Sequence, residues 1–201
     1  MPKLPDDNAD YIFKLNVVNK TNDKSIWIPL PISDFKLRKL LEAIDVDDMN
    51  QCEIIENRIT VSGLPDHLFQ HYDINSLNTL AYKISNILPN GEYPKYKALL
   101  EAFAIGGIEN AIELIDSLDD YEFYLEATTP EDYGREIFFK TYNINPNDPA
   151  INHIQFGKYG MALMIENNAV KTEYGFICKN DDLRQEQKQN DAISQGIGGI
   201  S

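Results

Sequence analysis

The sequence is short of cations, of cysteine and of long apolar runs, and each shortage removes a class of protein. Lysine and arginine number 18 against 32 aspartate and glutamate in 201 residues, a formal net charge of -14 with a sequence pI near 4.5. Affinity for DNA comes mainly from cations that neutralise phosphates, so this composition argues against nucleic acid as the direct ligand. Cys52 and Cys178 are the only cysteines. They exclude a disulfide-framed scaffold and point to a reducing compartment or at most one bridge. No stretch approaches the roughly 18 apolar residues of a spanning helix, and the opening MPKLPDDNADYIF lacks the pattern of a secretory leader. A soluble, cytoplasmic protein is the expectation. A glycine-rich phosphate loop and a nucleophile elbow are also missing.

What is present suffices for a core: hydrophobic residues make up 43% and aromatics 10%, which sets the chain apart from disordered acidic sequences. Tyr11 to Val18 and Lys24 to Leu30 predict two strands joined by the polar turn Asn19 to Asp23, with Trp27 as the largest apolar anchor and Pro29 and Pro31 ending the second strand. Ser33 reads as the N-cap of a helix from Asp34 to Ile44 that buries Phe35, Leu37, Leu40, Leu41 and Ile44. Cys52 to Ile55 and Ile59 to Val61 predict short strands around Asn57. A short helical segment at His67 to His71 and a helix from Asn75 to Leu88 follow, stopped by Pro89, Asn90 and Gly91. The next helix opens at Pro94, presents Tyr96, Leu99, Leu100 and Phe103, and breaks at Gly106 and Gly107.

Between Lys97 and Arg135 the chain carries ten carboxylates and no cation to answer them. Ile108, Ile112, Ile115 and Leu118 recur at helical steps and mark a buried stripe. On the opposite stripe Glu109, Glu113, Asp116 and Asp120 follow at +4, +3 and +4. If the helix persists through its last turn they form a row about 16 Å long at 1.5 Å per residue. Like charges at i,i+4 oppose a helix by a few tenths of a kcal/mol each, and Asp116, Asp119 and Asp120 crowd an end whose dipole disfavours anions. Stability does not account for such a row. It is either a solvated outer face or a surface displayed to a basic partner. Tyr121 to Ala127 then alternates Tyr121, Phe123, Leu125 and Ala127 against Glu122, Tyr124 and Glu126, which predicts a strand with an acidic outer face. Thr129 and Pro130 start a helix with Glu131 and Asp132 in its first turn and Glu136 and Lys140 as a supporting pair. Phe156 to Ile165 reads as a helix or a strand, and Lys171 to Cys178 as a last strand. From Asn180 the sequence is polar and ends in glycines, which predicts a frayed tail.

Catalytic and metal patterns are weak. His67 and His71 stand at i,i+4 beside Asp66 and Asp73, but the intervening Leu68, Phe69 and Gln70 supply no glutamate base. Asp45, Asp47 and Asp48 resemble the start of a calcium loop, yet Asn50 replaces the glycine of its sharp turn and no glutamate closes it. The two cysteines suit small apolar core positions better than nucleophiles. Tyr121, Tyr124 and Tyr133 read as core, with interface anchors as the alternative. No cofactor, metal or reaction is expected.

Four places carry a family resemblance: Trp27, Ile28, Pro29 and Leu30; Leu77, Asn78, Leu80 and Ala81; the block IELIDSLDDYEFY from Ile112 to Tyr124; and Asp132 to Arg135 with the later Tyr159-Gly160 and Tyr174-Gly175. Over roughly Tyr11 to Ile177 the chain resembles the ArdA antirestriction family of DNA-mimic proteins, with the block around LDDYEFY as its most specific part. The resemblance implies an α+β chain of three small domains, elongated and dimeric, with small antiparallel sheets at both ends and a helical middle: residues 1–63, 64–106 and 107–179, followed by a tail at 180–201. It implies carboxylates that imitate DNA phosphates and occupy the DNA-binding cleft of type I restriction-modification enzymes, the methyltransferase core being the partner. The candidate binding residues are Glu109, Glu113, Asp116, Asp119, Asp120, Glu122, Glu126, Asp45, Asp47 and Asp48. Composition alone leaves a second reading open, an acidic protein that inhibits another DNA-binding regulator or nucleoid protein. A metal-dependent enzyme is a more distant third.

Overall fold

The computed structural model describes residues 11–69, 73–142 and 144–180. The fold is α+β: two three-stranded antiparallel sheets with helices around them. The chain divides into two compact units, a first reaching to Tyr93 and including Ile105–Ile115, and a second comprising Pro94–Ala104 and the described residues from Asp116 onward. The expected boundaries at residues 63 and 106 partition the chain differently. His71 of the histidine pair and the polar tail beyond Asn180 lie outside the described residues.

In the first unit, β1 (Phe13–Asn19) is the central strand between β2 (Ser25–Leu30) and β3 (Cys52–Ile59). Alternate residues of β1 point inward, and Phe13, Leu15 and Val17 are fully buried together with Ile28 and Leu30 of β2. Trp27 faces the other way. It is half-buried on the outer side of the sheet, beneath the Arg58 guanidinium at 4.5 Å, so the expected anchor is a surface residue and Phe13 takes the central place. Pro29 lies inside β2, opposite Lys14, because β2 is an edge strand with no second ladder to feed. The two short strands expected around Asn57 are one strand with a bulge at the Asn16/Val17 step.

Helix α1 (Asp34–Glu42) buries Leu37 and Leu41 against the inner face, while Phe35 is 67% exposed and carries Lys39 over its ring. Ser33 occupies the N-cap without a capping bond. Helix α2 (Ile74–Ile87) is capped by Asp73, whose carboxylate accepts from the Asn75 and Ser76 amides, and it buries Leu77, Leu80, Ala81 and Ile84. Two asparagines meet the polar demands of this core. Asn78 accepts from the Ile32 amide at 2.8 Å and donates to the Ile32 carbonyl at 2.9 Å. Asn19, fully buried, donates to the Ile44 and Asp45 carbonyls and accepts from Thr21.

In the second unit, β4 (Tyr121–Tyr124), β6 (Gly175–Lys179) and β5 (Val170–Thr172) form a sheet in that order. The expected single last strand is therefore a hairpin. Helices α5 (Pro130–Thr141) and α6 (Phe156–Glu166) cover one face, where Tyr133 is fully buried, stacked on Phe176 and edge-on to Tyr124 at 5.0 Å each. The other face meets α3 (Tyr93–Phe103) through Phe103 against Tyr121, Lys97 over the Tyr174 ring, and the Glu101 carboxylate accepting from the Glu173 amide. Helices α5 and α6 cross at backbone contact. A Cβ on Gly160 would sit 1.7 Å from the Pro130 carbonyl oxygen, and one on Gly134 would sit 2.6 Å from that of Phe156. Gly175 has φ +137° and lies against the Tyr124 carbonyl.

Thr129 and Asp132 form a reciprocal capping box at the start of α5. The hydrogen bonds from Thr129 and Thr128 hold the Asp132 carboxyl below its ordinary pKa. Its stabilising share is therefore complete above the pKa of the unfolded carboxyl and is lost as pH falls through the folded one. Thr129→Ala should cost about 1 kcal/mol at neutral pH and less as acid titrates Asp132, measured by denaturant unfolding at several pH values. Gly160→Ala should cost about 3 kcal/mol or more, because the clash is with backbone that cannot turn aside. Gly157→Ala, on the same helix with nothing within 4 Å, should be neutral or stabilising by up to about 1 kcal/mol. Equal unfolding midpoints for the two variants would contradict the close crossing.

Candidate partner-binding surface

Helix α4 (Ile108–Asp116) forms where the apolar period begins and buries Ile108, Ala111, Leu114 and Ile115. Glu109, Glu113 and Asp116 stand exposed on its other side, a row of about 10 Å at 1.5 Å per residue. The α-helix does not persist to Asp120. It ends at Asp116, and Leu118–Asp120 form a 3-10 turn with Leu118 buried. A tighter turn moves Asp119 and Asp120 off the α-helical stripe, so the expected four-carboxylate row is a row of three followed by an acidic turn. Both turn carboxylates are exposed, while their backbone carbonyls accept from Asn180. The division between units falls after Ile115, so Glu109 and Glu113 belong to the first unit and the remaining acids of this stretch to the second.

The strand after the turn departs from the expected facing at Tyr124 and Leu125, while Ala127 is buried as expected. Tyr124 is buried and Leu125 is 54% exposed, because Tyr124 packs on Tyr133 and the strand ends before Leu125. Glu122, in register with Tyr124, therefore points to the helix-covered side instead of outward. Its carboxylate accepts from the Tyr124 hydroxyl and pairs with Lys140 at 3.1 Å. Burial, and then this bond to Glu122, drives the Tyr124 hydroxyl far above its ordinary pKa. The close partner of Lys140 is thus Glu122, while its charge still acts favourably on Glu136 as expected of an i,i+4 pair, and α5 also carries the i,i+4 bridge of Arg135 with Glu131 at 3.4 Å. Glu126 is exposed, and its charge adds to burial in raising the Glu136 carboxyl.

The three acids of the early turn have separate roles. Asp45 sits at φ 58° and pairs with Lys24. Asp48 caps the 3-10 turn Met49–Gln51. Asp47 is exposed and lines an open groove of about 590 Å³ with Asp34, Arg38 and Glu42 above Leu37, Leu41 and Val46. Among the described residues no three histidine, cysteine or acidic side chains gather to hold a metal ion, and no helix is long and apolar enough to cross a membrane. His67 instead bonds through Nε2 to the Ile105 carbonyl at 2.7 Å.

Of the candidate carboxylates, Glu122, Asp45 and Asp48 have structural partners, and Glu109, Glu113, Asp47, Asp119, Asp120 and Glu126 are exposed with no ion pair among the described residues. Sequence reading missed the partnership of Glu122, Tyr124 and Lys140, whose members lie 18 positions apart at the widest. The only signal was that Glu122 and Tyr124 share strand parity. No protein-family model matches the chain, and no curated protein matches it.

The exposed row on α4 is displayed at a cost to the helix. Glu109→Gln with Glu113→Gln should therefore raise stability by a few tenths of a kcal/mol at low salt, with the gain shrinking as salt rises. A fall in the unfolding midpoint would mean that these carboxylates support the fold.

Proposed function

We propose that the protein acts by binding, presenting carboxylates in place of DNA phosphates to the basic DNA-binding cleft of a type I restriction-modification enzyme, and so acts as an antirestriction protein. The observation that carries this reading is the set of exposed acids on α4 and the turn after it, Glu109, Glu113, Asp119 and Asp120, without ion-pair partners among the described residues. The net charge of -14 and the resemblance at four places support it. An elongated arrangement of three small domains, dimerisation, and action without cofactor or reaction belong to the same proposal.

The spacing of charge sets a requirement. Each DNA strand carries a phosphate about every 3.4 Å, whereas carboxylates at helical steps recur about every 4.5 to 6 Å. One helix is too dilute to stand for a strand. Glu126, Asp47 and the acidic turn are further sources, and a second copy would double them. Pairing with the enzyme's lysine and arginine depends on exposed charge, so it weakens with salt.

The test is a competition titration against labelled DNA bound to a type I methyltransferase core, with direct binding measured at two salt concentrations. Displacement that weakens with salt is expected. Reversal of Glu109, Glu113, Asp116 and Asp120 to lysine should weaken binding cumulatively, several-fold or more per pair. An unchanged inhibition constant for the quadruple variant, or no displacement by folded protein at micromolar concentration, would overturn the assignment.

A further inference from the structure

The second unit holds a pocket of about 380 Å³ between β4, α5 and α6. Its lining includes the apolar Ile137 and Leu163 and the aromatic Tyr124 and Tyr159, while Glu122 and Glu166 bring two carboxylates and Lys140 one cation. We propose that this pocket receives the guanidinium of an arginine side chain from a basic protein partner, in the place that Lys140 now fills. The identity of that partner rests on the function proposed above, and the pocket itself does not.

Lys140 shows what the site accepts. Its ammonium lies 3.1 Å from one Glu122 oxygen and 5.7 Å from the centre of the Tyr124 ring, while the other Glu122 oxygen takes the Tyr124 hydroxyl. A fixed carboxylate beside an aromatic face is a cation site. The two halves of the pair are unequally held: the Glu122 side chain is 23% exposed and that of Lys140 61%. The acid is anchored by the sheet, and the lysine reaches in on a long stem from the exposed side of α5. The lysine end of the pair lies largely in water, so Lys140 can yield its place when another cation takes over the Glu122 carboxylate.

The pocket has more negative charge than Lys140 meets. Glu166 is exposed at its rim and has no ion-pair partner among the described residues. It is close enough to act on Tyr159, whose hydroxyl is raised by burial first, then by Tyr142 and by Glu166. Two carboxylates against one cation leave the lining at net -1. A guanidinium suits this better than an ammonium, because its planar fork can serve two carboxylates at once and its face can lie on a tyrosine ring.

The experiment is a titration of the full chain with N-acetyl-arginine amide, followed by two-dimensional amide NMR, on wild type, Lys140→Met and Glu166→Gln. Both positions are exposed, and the dispersion of the same spectra verifies folding. Shifts confined to β4, α5 and α6 are expected, with binding several-fold tighter in Lys140→Met and several-fold weaker in Glu166→Gln. Equal affinity in all three proteins, or shifts located away from these elements, would overturn the proposal. The titration contains no restriction enzyme, so its result bears on the pocket whatever the competition assay gives.

Discussion

The surplus of 32 acids over 18 bases is the constraint around which this protein is built. Anions cannot be buried unpaired, so each must be stabilised locally, paired or left in water. Many are spent where backbone amides welcome them: Asp48, Asp73, Asp132 and Asp148 each cap the start of a helix or 3-10 turn. Others are answered one by one, Asp45 by Lys24, Glu56 by Arg58, Glu122 by Lys140 and Glu131 by Arg135. Glu109 and Glu113 of helix α4 depart from both patterns. The acids of this helix run along the exposed face toward the helix C-terminus, where the dipole opposes them.

With charge kept outside, the interior polar work falls to neutral groups. Asn19 and Asn78 satisfy backbone that would otherwise be stranded beneath the first sheet, and an amide does this without the desolvation penalty of an ion. Gly134 and Gly160 allow α5 and α6 to meet backbone to backbone, and Gly175 takes a conformation unfavourable to other residues beside Tyr124. Asn78, in the Leu77 to Ala81 segment, and the three Tyr-Gly pairs are among the residues on which the proposed ArdA resemblance rests. Their roles are architectural. Any bearing of the proposed resemblance on a target rests with the acidic block from Ile112 to Tyr124.

Within that block the fold separates acids that sequence groups together. Glu122 is drawn into a network with Tyr124 and Lys140, while Asp119 and Asp120 remain outside it. A carboxylate held between a tyrosine hydroxyl and a loosely seated lysine has a different use from one in open water. In the binding proposed here, the first would select a particular cationic group and the second would attract many.

Local signals were sufficient wherever a residue's role depends on its neighbours in the chain. The amphipathic periods of α2 and α4, the Thr129 to Asp132 cap and the hairpin of β1 and β2 are all legible from sequence, because 3.6- and 2-residue repeats and capping distances are short-range properties. Facing was not. Trp27 lies on the outer side of its sheet and Phe35 off its core, since an aromatic residue's burial depends on what packs over it. Tyr124, not Leu125, enters the second core because a ring from α5 is there to meet it. The sequence by itself determined most of the helices, the first hairpin, the charge and the absence of basic answers between Lys97 and Arg135. Only the tertiary structure decided which carboxylates find partners, because Lys140 reaches Glu122 across 18 residues once β4 and α5 have packed together.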